Sequence, residues 1–233
     1  MEFQHFFSEL DSRIRPYDLL CHPFYQAWSA GTLTRDHLRV YAEQYYAHVE
    51  AFPTYLAEFG IRLEDGELRR AVLANLWDEK GGKDAHGEPT ASHADLWLDF
   101  VQGMGGMRSR RVYPQIGEMK DLMSSFHRVA SEGTPAEALA AFYAYESQVP
   151  RVAEAKEAGL RDLYHTDEKT RKYFEVHKKA DVFHSNVWKQ QLAKCVDGDP
   201  AAAERALDAA EAAAQALWHA LDGIEAERTV RAA

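Results

Sequence analysis

Residues 173–188 constrain the fold more than any other stretch, because they set His177, Asp181 and His184 at successive spacings of four and three residues. On a helix turning about 100° per residue, these three side chains fall on one stripe. Phe174 and Trp188 continue the stripe at its two ends, while Lys178, Lys179, Ser185 and Lys189 lie elsewhere on the wheel. The stripe is therefore expected to face inward. Three ionisable groups buried side by side, one of them a carboxylate, are costly unless they are compensated. A bound metal ion would compensate all three at once. The plainer reading of the same helix is a hydrogen-bonded core pair, His177 with Asp181, so the other helices must supply or withhold further ligands.

The chain of 233 residues is 46% hydrophobic and 12% aromatic, which suffices for a substantial core. One domain over residues 1–233 is expected. A formal charge of −10 argues against nucleic-acid binding, which draws its affinity from clustered Lys and Arg. The run Arg108-Ser-Arg-Arg111 is too short to reverse that. The two cysteines, Cys21 and Cys195, lack metal-binding or disulfide-scaffold spacing and fit a reducing cytoplasm. No basic-then-apolar leader and no apolar span of membrane length occurs, so a soluble cytoplasmic protein without a membrane partner is expected.

Along the chain the apolar pattern is helical throughout. Phe3, Phe6, Phe7, Leu10 and Ile14 form a stripe that Pro16 interrupts, and a short helix over residues 22–28 stops near Gly31. Thr34 can open a third helix, over about residues 38–63, crowded with Tyr41, Tyr45, Tyr46, Phe52 and Tyr55 and kinked at Pro53. A fourth, over about residues 67–79, carries Val72, Leu76 and Glu79 on one face. Gly81-Gly82 breaks it, and Ser92 is a plausible cap for residues 93–101. Residues 115–131 form the next helix. Thr134-Pro-Ala-Glu137 is a helix start whose helix carries Leu139, Phe142, Tyr143 and Glu146, bends at Pro150 and resumes through Val152, Lys156 and Leu160. Thr166 opens the helix of the His/Asp stripe, and after a turn at Asp197-Gly-Asp-Pro200 an Ala-rich helix closes the chain near residue 227. With no strand and no repeat, the expected fold is all-α, a bundle of seven to eight helices.

Three core helices then offer inward ionisable groups: Glu79, Glu146, and His177 with Asp181 and His184. One further His after Glu79 completes three carboxylates and three imidazoles, a count that suits two metal ions. Helical bundles build dimetal carboxylate sites from Glu and His on facing helices. The mixed oxygen and nitrogen set favours iron or manganese, since thiolates are absent and calcium takes more oxygens.

Five segments carry a resemblance. They are residues 22–28 (His-Pro-Phe-Tyr-Gln-Ala-Trp), residues 41–55, residues 75–79 (Asn-Leu-Trp-Asp-Glu), residues 143–151 (Tyr-Ala-Tyr-Glu-Ser-Gln-Val-Pro-Arg) and the His-x-x-x-Asp-x-x-His run at 177–184. Together they resemble the family of the chlamydial protein associating with death domains, within the haem-oxygenase-like dimetal oxidases, over most of the chain up to about residue 196. The resemblance implies a haem-oxygenase-like helical bundle without haem and two metal ions, Fe/Fe or Fe/Mn. Those ions would be held by Glu79, Glu146, His177, Asp181, His184 and one more His. It further implies dioxygen and a reductant as co-reactants, and a role in making para-aminobenzoate for folate. Tyr25 matches the tyrosine that gives up its ring and Lys156 the lysine that gives the amino group. Taken alone, Tyr25 reads as a core aromatic and Lys156 as a solvated charge. Tyr41, Tyr45 and Tyr145 fit the same aromatic neighbourhood as relays or pocket walls.

The pattern departs after Glu79. The family spacing of seven residues points to His86, whereas the family context, a His followed by x-x-Leu-Trp, points to His93. We favour His93, because Leu96 and Trp97 would carry its face into the core, while His86 lies among Gly, Lys and Asp. Competing readings are a dimetal oxygenase acting on an external fatty acid or amino acid, a cofactor-free relative similar to thiaminases, and a death-domain-binding interaction protein. The first would need an apolar channel or an anion-binding Arg at the site; the full ligand set speaks against the second; no residue supports the third. A homodimer is an expectation that the residues neither require nor exclude.

Overall fold

The computed structural model describes residues 3–83, 87–109 and 113–232. Among them there are ten α-helical segments and no strand, only an isolated bridge between Lys83 and Pro89. The helices are α1 (Phe3–Ile14), α2 (Pro23–Ser29), α3 (Arg35–Arg62), α4 (Glu67–Glu79) and α5 (His93–Gly103), followed by α6 (Gly117–Glu132), α7 (Pro135–Glu146), α8 (Val149–Asp162), α9 (Glu168–Val196) and α10 (Pro200–Ala232). Two 3-10 turns, Arg15–Tyr17 and Leu19–Cys21, link α1 to α2. No helix among the described residues is long and apolar enough to cross a membrane.

Helix α7 is the axis of the bundle. Ala136 and every residue from Ala138 to Glu146 are buried, and a helix covered all round belongs in a core. It packs chiefly against α10 on one side and α9 on the other, while α8 and α5 also flank α9 and α3 rests on α4, α5 and α6. Pro150 does more than bend this region. Proline cannot donate to residue 146 and crowds its carbonyl, so α7 ends at Glu146 and α8 begins at Val149. This break is one reason for more segments than the seven to eight read from the pattern. Glu146 thereby stands at a helix end in the middle of the core.

Two further details differ from the sequence expectation. Asp167, not Thr166, caps α9, its carboxylate accepting from Thr170 N at 2.8 Å. Helix α3 includes Pro53 and starts at Arg35, earlier than the start near residue 38 read from the pattern. The expected cap of α5 is present: Ser92 Oγ accepts from Asp95 N at 3.1 Å. Before it, Gly81 takes φ 80°, where a Cβ would also meet the Thr90 carbonyl, so only glycine lets the chain turn back here. Trp97 Nε1 donates to Ala42 O at 2.7 Å and fastens α5 to α3.

Candidate metal centre and the adjoining tyrosine pocket

Four helices bring the six predicted ligands together as two groups of three, all buried: Glu79, His93 and His177, and Glu146, Asp181 and His184. Within each group one ligand atom per residue lies within 4.8 Å of the others. Helix α9 contributes to both groups because His177 and Asp181 stand on successive turns and His184 less than a turn further. His93 is the histidine beside Glu79, with Nδ1 2.9 Å from Glu79 Oε2. His86, the alternative by spacing, lies outside the described residues.

The donor set fits metal ions. His93 Nδ1 and His184 Nδ1 are buried without a hydrogen-bond partner, although a carboxylate oxygen stands near each. Unpaired buried nitrogens are costly, and a shared cation is what a neighbouring imidazole and carboxylate can both satisfy. His177 Nδ1 donates to Tyr173 O at 2.7 Å, which fixes the tautomer and leaves Nε2 with its lone pair. His184 Nε2 stands 3.3 Å from Asp78 Oδ2, the carboxylate support that ligating histidines use. Glu146 accepts from Asn75 Nδ2 at 3.1 Å and from Trp188 Nε1, so its two oxygens are held in place by α4 and α9.

Taken by themselves, the clustered acids and imidazoles divide protons unevenly. Burial pushes the Glu146 carboxyl up to about 8, helped by the Asp181 and Glu79 charges and opposed by His184 and Asn75. Burial works against a proton on His184, but the nearby Asp181 carboxylate, with Glu146 and Asp78, wins and raises it to about 9. Burial likewise opposes the charge on Glu79, yet the facing His93 outweighs it and lowers the carboxyl, and Glu79 in turn raises His93. His177 is lowered by burial and by His93, and stays neutral. Divalent cations would replace these protons.

A second buried set adjoins the first. Lys156, only 5% exposed, donates from Nζ to Tyr25 Oη at 2.7 Å and to Tyr41 Oη, and the two phenols lie 3.0 Å apart. Its nitrogen also stands 4.2 Å from the Tyr25 ring centroid. Burial alone pushes the Lys156 ammonium well below its usual value. Burial, first of all, holds the Tyr25 and Tyr41 hydroxyls well above theirs. The reading of Lys156 as a solvated charge, which the residue alone suggested, does not hold in the folded chain. Tyr145 lies between the two sets: it lines the cavity beside Tyr25 and Lys156 as well as the one beside Glu79, Glu146, His177 and Asp181.

Tyr173 does the same and was not picked out from the sequence as a site residue. Its ring stacks on His177 at 3.8 Å between centroids. Asn75 and Asp78 were missed too. A signal existed for two of them, because Asn75 is four residues before Glu79 and Tyr173 four before His177, on the same faces. His48 packs 5.1 Å from the Tyr145 ring with neither nitrogen hydrogen-bonded, and burial lowers it to about 3, so it is a neutral member of this aromatic wall.

Comparison with known proteins gives both relatives in sequence and a likeness in fold. The chain is 37% identical to a 4-aminobenzoate synthase of Nitrosomonas europaea over 230 residues, 94% of this chain and 90% of the relative. It is 34% identical to a 4-aminobenzoate synthase of Chlamydia trachomatis over 222 residues, 94% of this chain and 92% of the relative. A domain from Shewanella denitrificans with a haem-oxygenase-like fold superimposes with a TM-score of 0.75 at 17% identity, covering 100% of this chain and 96% of that one. That likeness gives the fold as haem-oxygenase-like. Residues 39–218, which contain all six clustered carboxylates and imidazoles, match the model of the iron-containing redox enzymes, and the chain belongs to that family.

Proposed function

We propose that this chain is a dimetal, oxygen-activating enzyme that makes 4-aminobenzoate for folate synthesis from its own Tyr25, with Lys156 as the amino donor. The observation that carries the reading is the placement of Lys156 Nζ, 2.7 Å from Tyr25 Oη and without a carboxylate partner among its hydrogen bonds. In 4-aminobenzoate the amino group stands opposite the carboxyl carbon. In Tyr25 the hydroxyl end, where Lys156 sits, stands opposite the carbon that joins the ring to the chain. The nitrogen is thus at the end of the ring that would become the amine.

Glu79, His93 and His177 would hold one ion and Glu146, Asp181 and His184 the other, as two irons or as iron with manganese. Reduced with external electrons, such a centre supplies the oxidising power of dioxygen. The protein residues do the rest. Burial disfavours a charge on the Lys156 amine, which favours a free lone pair, and disfavours deprotonation of Tyr25 and Tyr41. Tyr41 shares the Lys156 amine and the Tyr25 hydroxyl and fixes their distance. Tyr145 and Tyr173 span the gap between the ligand groups and the Tyr25 cavity and are the relay positions. An external substrate is disfavoured, because side chains already line both inner cavities closely and no arginine among the described residues lines either. A ring held in place needs no binding step to offset its loss of freedom.

The test is stoichiometry. With reductant and dioxygen but no added aromatic compound, product should stop at one molecule per chain, and the peptide containing Tyr25 should lose mass. Ring-labelled tyrosine built into the protein should appear in the product. Tyr25→Phe and Lys156→Arg should each cut product by about a hundredfold or more, a loss of at least 2.7 kcal/mol in barrier terms, with metal content unchanged. Many turnovers, or product from Tyr25→Phe, would overturn the reading.

A further inference from the structure

A cleft of about 490 Å³ opens on the outer side of the candidate metal centre, away from Tyr25. Its floor includes His93 and His184, one imidazole from each ligand group. One wall is apolar, with Leu96 from α5 and Val176 and Phe183 from α9. Phe183 is 65% exposed, and its ring lies 6.0 Å from that of His184. The rim carries two ammonium groups from separate segments, Lys83 and Lys172. Among the described residues the only acid lining the cleft is Asp78, which faces His184. Lys172 pairs with Glu175 at 3.2 Å in an exposed i,i+3 contact, which is worth little and is easily exchanged.

Two cations over an apolar wall are unexpected on a chain with a net charge of −10. An acid-rich surface would repel most anions, so a local cationic rim selects for one. The volume is that of a small-molecule site. We propose that this cleft binds a small planar organic anion, its charged end between Lys83 and Lys172 and its flat body against Phe183 and Val176. Such an anion would lie against the imidazoles of His93 and His184. Two sources share this chemistry: an aromatic acid like the proposed product, and an enediolate-type reductant that approaches the centre from outside. Binding itself does not depend on the Tyr25 reaction.

Calorimetric titration of the metal-loaded, pre-reduced full-length protein under argon tests this, with 4-aminobenzoate in one arm and ascorbate in the other. Saturable binding near one per chain is expected in at least one arm. It should weaken about tenfold, or 1.4 kcal/mol, in the Lys83→Glu/Lys172→Glu double variant, and about threefold in Phe183→Ala. Tyr25→Phe should bind like the parent chain, which separates this inference from the proposed reaction. Binding of the aromatic acid alone assigns the cleft to the product class, ascorbate alone to the reductant class, and both to the shared anion. No binding in either arm at about 10 mM, where even a millimolar site would be mostly filled, overturns the proposal. Binding that the charge reversal leaves intact overturns it as well.

Discussion

The ligand groups around α9 and the pocket of Tyr25 and Lys156 are buried to the same degree, yet they meet the cost of burial in opposite ways. In the first, acids and imidazoles face one another and part of the charge is retained: His93 and His184 are raised and Glu79 is lowered, while Glu146 is raised and His177 lowered. In the second, one amine meets two phenols and charge is disfavoured, since burial alone lowers Lys156 and burial above all raises the two tyrosines. Burial disfavours the charged form everywhere, and the neighbours decide whether that form survives. One core can therefore keep a charged cluster beside an amine whose charge is disfavoured, which is the pairing that the proposed reaction requires.

The comparison breaks most visibly at the ligands. His184→Ala should lower bound metal from close to two per chain to one or fewer by elemental analysis. It should also weaken the fold by about 3–5 kcal/mol, because Glu146 and Asp181 lose a buried partner. His93→Ala should cost metal as well and His86→Ala should not, which separates the two candidates directly. Full occupancy in His184→Ala would remove the basis for reading the six residues as ligands.

A smaller effect, of opposite sign, is expected in the neutral pocket. The folded pKa of Lys156 lies below its unfolded value of 10.5, so between the two the unfolded chain binds the extra proton and the lysine destabilises the fold. This penalty is absent above the unfolded pKa and grows as pH falls from there toward the folded pKa. Lys156→Met should melt several degrees above the parent chain at neutral pH, at about 2–4 °C per kcal/mol for a chain of this size. The gap should narrow as pH approaches 10.5. A gap that is flat with pH would mean that Lys156 is charged in the fold, and the contrast between the two regions would fail.

The mildest change is Trp188→Phe. It keeps the packing of the ring but removes the indole donor to Glu146. Loss of such an outer partner typically lowers metal affinity about 10–100-fold without abolishing binding. Competition with a graded chelator should detect the change; an unchanged affinity would make the indole contact merely structural.

Much of this organisation was legible in the residues. The stripe of His177, Asp181 and His184 reads from spacing alone, since helical side chains three and four apart must share a face. Glu79 and Glu146, each at the end of an apolar stripe, read the same way, and so did the all-helical fold. Asn75 and Tyr173 were present on those faces but were not distinguished, because a polar or aromatic residue on an inward face is usually core. The break at Glu146 was read only as a bend, although Pro150 made it foreseeable.

What the sequence by itself determined is which segments are helical and which face each turns inward, because both follow from periodicity and local capping. Which faces meet is a matter of packing between distant segments, and the tertiary structure alone decided that. Tyr25 and Lys156 are 131 residues apart, and nothing near either announces the other or the absence of an acid beside the amine. His93 reaches Glu79 only because the turn at Gly81 and the anchoring of Trp97 to α3 bring the start of α5 back to the end of α4. Periodicity carries no information across such a loop, since its path depends on what the two helices it joins are packed against.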